Sequence, residues 1–228
     1  MMRFRSILFD LYDTLVWLDV EESNIWRKRF SDRLGVPIDI FLRVWRRSID
    51  DRMLGKMGSL SNQIAAAVSD LGIEPSDSLI SDLVAIERQR LVNSVKLYPS
   101  AVSTLSRLAS QGFKLGLLSN SSEGAAIPIT YLGIDKLFQR MILSHEVGLL
   151  KPDPAIYQLA CRALDTRPSE TMFVADGSFG ELDAARELGI YAVQIEQENQ
   201  SKDYGSSSCC DVKIHDLSEL LSILGLAS

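Results

Sequence analysis

The chain has 228 residues, of which 46% are hydrophobic and 24% charged, with a net charge of −6 and a pI near 5.0. That is the make-up of a soluble globular protein, and its acidity argues against nucleic acid as a main partner. No apolar run approaches the ~18 residues of a membrane span, and Cys161, Cys209 and Cys210 have neither metal-ligand nor redox spacing.

Met1-Met2-Arg3-Phe4-Arg5 leads straight into the first strand and leaves no room for a signal peptide, so a cytoplasmic location is expected. Ser6 to Phe9 reads as a buried parallel strand. It ends on Asp10, followed closely by the polar pair Asp13-Thr14. A carboxylate at such a strand end is a ligand, a nucleophile or a helix cap, because a buried and unpaired one is costly.

From Trp17 to about Ser94 the strand signal vanishes. Trp26, Phe30 and Leu34 recur at fourfold spacing, as do Phe41, Trp45 and Ile49. These are helical stripes, broken into about four helices at Gly35-Val36-Pro37, Gly55-Lys56-Met57-Gly58 and Gly72-Ile73-Glu74-Pro75. Between Arg27 and Lys56 nine Lys and Arg face four Asp, a local excess of +5 in a chain whose remainder carries −11. Such a patch can face an anionic substrate or simply water.

Strand and helix alternate again after Tyr98-Pro99. Strands are expected at Lys114–Leu118, Met141–Ser144, Thr171–Ala175 and Tyr191–Ile195. Helices are expected over 101–110, 155–164, 182–188 and 216–224, with a Ser-rich loop from Gln197 to Ser208. Repeated βα units of this kind build a doubly wound parallel sheet, and parallel strands bring Asp10, Ser119, Asp176 and the loop bearing Lys151 to one edge.

Those stretches carry a family resemblance. Asp10-Leu11-Tyr12-Asp13-Thr14, Leu118-Ser119-Asn120, Glu146 to Tyr157 with its Lys151-Pro152-Asp153-Pro154, and Asp176-Gly177 with Glu181 resemble, in order, the four motifs of the haloacid dehalogenase (HAD) superfamily. The resemblance implies a Rossmann-like α/β core, residues 1–16 and 95–228, with an inserted all-helical cap, 17–94. It also implies a nucleophile at Asp10, a loop-orienting role for Thr14, and phosphate or substrate contacts from Ser119, Asn120 and Lys151. Trp17, just past the first strand, is expected near the pocket. Mg²⁺ is expected on Asp10, Asp176, the Tyr12 backbone carbonyl and Glu181, with Lys151 neutralising charge in transfer.

Tyr12 departs from the phosphatase pattern. Phosphatases of the superfamily usually carry an acid–base Asp there, whereas a Tyr is typical of its 2-haloacid dehalogenases, which lack the acid at the Asp176 position and bind no metal. A phenol titrates near 10 and is no base near neutrality. Three readings stand: a Mg²⁺-dependent phosphatase of a small anionic phosphate ester, a 2-haloacid dehalogenase, or a slow or silent phosphate binder. His145 has no catalytic partner in the sequence, and no role follows for Cys209-Cys210.

Overall fold

A computed structural model of the chain describes residues 4–200 and 209–226. Five of its strands fall where unbroken apolar runs place them: β1 (Ser6–Phe9), β4 (Lys114–Ser119), β5 (Arg140–Leu143), β6 (Thr171–Ala175) and β7 (Tyr191–Ile195). All pair in parallel with their neighbours, in the order β5-β4-β1-β6-β7-β8, where β8 is Val212–Ile214. Strand β1 lies inside the sheet and is buried along its length.

Side chains alternate across the pleat. Ile7 and Phe9 enter one core with Leu105 and Leu108 of α6 (Ala101–Ser110), Ile129 of α7 (Ala126–Tyr131) and Leu220 of α11 (Glu219–Ile223). Leu8 enters the opposite core with Ile156 and Tyr157 of α9 (Pro154–Ala163) and Leu182 and Ala185 of α10 (Glu181–Glu187). Helices therefore cover both faces, as a fully apolar parallel sheet requires. A short α8 (Ser144–Val147) follows β5 directly.

Between β1 and β4 run α1 (Val20–Leu34), α2 (Ile38–Arg47), α3 (Ile49–Met53), α4 (Leu60–Asp70) and α5 (Asp77–Ser94). The side chains of Asp19, Ser59 and Ser76 cap α1, α4 and α5 by accepting a backbone N–H three residues on. Gly35 ends α1 in the left-handed conformation. These helices enclose a core of their own, with Phe30, Phe41, Leu60, Ile64, Val68 and Leu83 at its centre.

Three features differ from expectation. Strands β2 (Val16–Leu18) and β3 (Val95–Leu97) pair antiparallel, so Trp17 and Leu18 are extended inside the stretch expected to be wholly helical. Three residues are too few to display an alternation. Strand β8 escaped notice for the same reason, with Lys213 interrupting its apolar pair. The helices number five, since the chain breaks at Ser48; that break leaves Ile49, the third member of its stripe, 37% exposed. The Ser-rich loop beyond Gln200 and Met1-Met2-Arg3 lie outside the described residues. No helix among those described is long and apolar enough to cross a membrane.

The helical segment docks on the sheet's carboxyl edge by backbone contacts. Ser144 donates its hydroxyl to the Met53 carbonyl at 2.7 Å, and Glu123 accepts the Leu60 N–H at 3.0 Å. Gly55, at φ +73, packs so closely that a Cβ there would lie 2.0 Å from the His145 carbonyl oxygen. Gly55→Ala should therefore pry this contact apart. Hydrogen exchange should show lost protection at residues 53–60 and 144–148 together, with about 2 kcal/mol or more of stability lost; unchanged protection would refute the contact.

Candidate active site

Four side chains meet where β1, β4 and β6 end. Asp10 follows β1, its N–H held by the Val174 carbonyl of β6 at 3.0 Å. Lys151 reaches in from the loop after α8 and donates to Asp10 Oδ1 at 2.5 Å and to Glu181 Oε2 at 2.6 Å. Its side chain is 4% exposed. Burial alone would lower the ammonium's pKa, but Asp10 and Glu181 outweigh that and raise it.

The carboxylates move upward. Burial raises Asp10, with Lys151 opposing and Asp176 adding to the rise. Burial, again opposed by Lys151 and reinforced by Asp10 and Asp176, pushes Glu181 up to about 8. One oxygen each from Asp10, Asp176 and Glu181 lie within 4.8 Å of one another. Three carboxyl groups share one ammonium in a mostly buried crevice, and once deprotonated they form a donor set that fits a hard divalent cation.

Each member is held from behind. Asn120 grips the Lys151 backbone at both polar atoms, Nδ2 donating to its carbonyl and Oδ1 accepting its N–H, each at 2.8 Å. Asn120, expected among the substrate contacts, has its amide engaged in positioning Lys151. Glu181 accepts the Gly177 N–H at 3.3 Å through its other oxygen, and Tyr157 donates its hydroxyl to the Glu181 carbonyl at 2.8 Å. Asp176 accepts the Ser178 hydroxyl. Gly177, Phe179 and Gly180 all adopt positive φ, turning the chain sharply enough to set Glu181 beside Asp176. The ring of Phe173 lies 5.3 Å from the Lys151 nitrogen and packs edge-on with Tyr157. Nothing in the sequence announced the roles of Asn120 and Phe173; they emerge from the register of neighbouring strands.

The other expected residues surround this cluster. Ser119 is buried at the end of β4. Thr14 is buried with its hydroxyl unpartnered among the described residues, while its carbonyl accepts from Gln197 at 3.0 Å. Burial pushes the Tyr12 phenol up to about 12, with Arg90 of α5 opposing and Glu87 assisting. Trp17 is half-buried on β2 opposite Lys96, so its place is set by the ribbon. His145 sits with Nδ1 3.1 Å from the Ser121 carbonyl. Cys210 is half-buried, with its thiol 3.8 Å from Gln194 Oε1, and Cys209 is exposed.

Known proteins of two different activities resemble the chain. The chain is 26% identical to a glyceraldehyde 3-phosphate phosphatase of Methanopyrus kandleri, over 84% of this chain and 83% of that one. It is 25% identical to (S)-2-haloacid dehalogenase 4A of Burkholderia cepacia, over 96% and 94% of the two chains. Its fold matches the crystal structure of a 2-haloacid dehalogenase from Pseudomonas syringae pv. Tomato DC3000 with a TM-score of 0.75 at 22% identity, over 97% of this chain and 98% of the other. The model of the haloacid dehalogenase-like hydrolases matches residues 4–189. The chain belongs to that family of hydrolases.

Proposed function

We propose that this hydrolase is a Mg²⁺-dependent phosphatase of a small anionic phosphate ester, with helices α1–α5 serving as a cap over the strand ends. The observation that carries this reading is the joint placement of Asp10, Asp176 and Glu181 around Lys151. An anionic haloacid has little to gain from a cluster whose carboxyl groups outnumber its one ammonium, whereas a phosphoryl group bridged by a cation does. A Mg²⁺ held by Asp10 and Asp176, with the Tyr12 carbonyl and Glu181 as further expected donors, would neutralise those carboxylates and polarise the phosphoryl oxygens.

In this reading the chain's own residues do the following. Asp10 attacks phosphorus, the ester P–O bond breaks, and an aspartyl-phosphate forms. Lys151 keeps the attacking carboxylate aimed and offsets charge on the equatorial oxygens. Ser119, buried at the end of β4, supplies a hydroxyl to those oxygens. Thr14, whose buried hydroxyl is unpartnered among the described residues, steadies the loop between Asp10 and β2. Water then attacks phosphorus, the bond from phosphorus to the Asp10 oxygen breaks, the water's proton passes to solvent, and phosphate leaves. Tyr12, protonated at neutral pH with its phenol pushed up to about 12, is no base for the second step and too weak an acid for the first, so the departing alcohol takes its proton from solvent.

Tyr12 is also the observation that favours a second reading, 2-haloacid dehalogenation, in which the halide leaves without a proton. A panel of p-nitrophenyl phosphate, ethyl phosphate and 2-chloropropionate, with and without Mg²⁺, separates the two. Phosphate release that needs Mg²⁺ supports the phosphatase, and chloride release without it supports the dehalogenase.

Two outcomes are specific to this site. Glu181 is raised above its ordinary 4.5 to about 8, so its neutral form contributes stability in full below the unfolded value and loses it as pH rises through about 8. Mg²⁺ competes with that proton. The rise in Tm on adding Mg²⁺ should therefore be larger near pH 8 than near pH 5.5, and Asp176→Asn should abolish most of it. An equal rise at both pH values, or one that survives Asp176→Asn, would count against the metal site. The second outcome concerns leaving groups. Without a side-chain acid, kcat for p-nitrophenyl phosphate should exceed that for ethyl phosphate, and Tyr12→Asp should narrow the gap by raising ethyl phosphate turnover, up to the ~10²–10⁴ that acid–base catalysis supplies. Flat ethyl phosphate turnover with Mg²⁺ binding intact would remove Tyr12 from this role.

A further inference from the structure

Arg52 in α3 is 5% exposed, an unusual burial for an arginine. Its guanidinium lies over the ring of Trp45, 3.8 Å from the centroid, and Nη1 donates to the Trp45 carbonyl and to Ser48 Oγ. These contacts fix the fork but neutralise none of its charge. Nε is buried and has no partner among the described residues. The acid that acts on Arg52 is Glu87, which Arg90 already holds through two hydrogen bonds of 2.7 and 2.6 Å. Glu87 also answers Arg27, so one carboxylate serves three arginines. Burial lowers Arg52 to about 10, which still leaves it cationic at neutral pH. A buried guanidinium with no counter-charge of its own is expensive.

The position of Arg52 gives that cost a use. The carbonyl of the next residue, Met53, accepts the Ser144 hydroxyl, and the Ser144 hydroxyl oxygen in turn accepts the Ser121 N–H at 2.9 Å. Helix α3 is thereby docked beside the loop that follows Ser119. On the other flank, Tyr12, two residues past Asp10, is coupled electrostatically to Arg90 and Glu87. Arg52 and Arg90 of the helical segment thus flank the stretches that follow Ser119 and Asp10. A role confined to sealing the end of α2 would employ Nη1 alone and leave the buried Nε without purpose.

We propose that Arg52 is a specificity residue whose free guanidinium edge receives a carboxylate of the substrate while Asp10 and Lys151 engage its phosphate. The inference rests on the phosphatase reading and narrows it to short phosphate esters that also carry a carboxylate. A planar carboxylate matches a guanidinium edge better than a hydroxyl or a carbonyl does.

The test is binding, so that it stands apart from turnover. With the Asp10→Asn protein and Mg²⁺, calorimetry compares 2-phosphoglycolate with ethyl phosphate. We expect 2-phosphoglycolate to bind about 10- to 100-fold more tightly, the range for a buried hydrogen bond to a charged group. Adding Arg52→Met should erase most of that preference while leaving ethyl phosphate affinity within about threefold, and Arg52→Lys should recover part of it. Equal affinity for the two ligands in the parent protein would overturn the proposal, whatever the variants do. Equal weakening of both ligands by Arg52→Met, with thermal unfolding otherwise intact, would assign Arg52 to packing and overturn it as well. Failure of the phosphatase reading has a separate signature, which is absence of p-nitrophenyl phosphate hydrolysis by the wild-type protein with Mg²⁺.

Discussion

The ammonium of Lys151, shared between Asp10 and Glu181, is the interaction on which the site depends. Each of the three groups alone would be costly at this depth, and a single unpaired carboxylate here would take up a proton instead of acting as a nucleophile. Removing the lysine would therefore cost more than one contact. It would leave two buried carboxyls facing Asp176 with nothing between them. Much of the surrounding architecture holds this bridge in place: the Asn120 grip on the Lys151 backbone, the Tyr157 hydroxyl on the Glu181 carbonyl, and the Phe173 ring beneath the ammonium.

Charge is sorted between the two halves of the chain path. The strand ends present acids, whereas the nearby helices present Arg27, Arg52 and Arg90 around Glu87. Under the proposed function, a small dianion entering between them would meet a cation-binding cluster on one side and guanidinium groups on the other. On that reading, the division also accounts for how a protein with a net charge of −6 would suit an anionic substrate. The relevant potential is local, set by few groups in a poorly solvated space.

Much of this was legible before the structure. Long apolar runs ending in Asp10, Ser119 and Asp176 mark strands of a parallel sheet, and parallelism alone puts those residues on one edge. Short strands were not legible, because Val16–Leu18 and Val212–Ile214 offer too few residues for a period to declare itself. Nor were partnerships. Asn120 sits in a stretch that resembles a phosphate-binding motif, yet its amide is turned onto the Lys151 backbone, a fact of loop geometry invisible in one dimension. Arg52 was one of nine basic residues in a charged segment; only burial and an unanswered Nε distinguish it from its solvated neighbours.

The short β2–β3 ribbon has a consequence for how such a chain changes over time. Its two strands run antiparallel, with Val16 opposite Leu97, so the chain leaves the sheet and returns to it at almost the same point. Whatever is spliced between those positions imposes little on the strands beneath, because the entropy of closing a loop grows only slowly with its length. The flanking bonds, Tyr98 N–H to the Leu15 carbonyl and Asp19 N–H to the Ser94 carbonyl, extend the same seam. Helices can be lengthened, shortened or exchanged above it while the clustered carboxylates keep their positions. A lineage built on this plan can change what it recognises without rebuilding how it reacts.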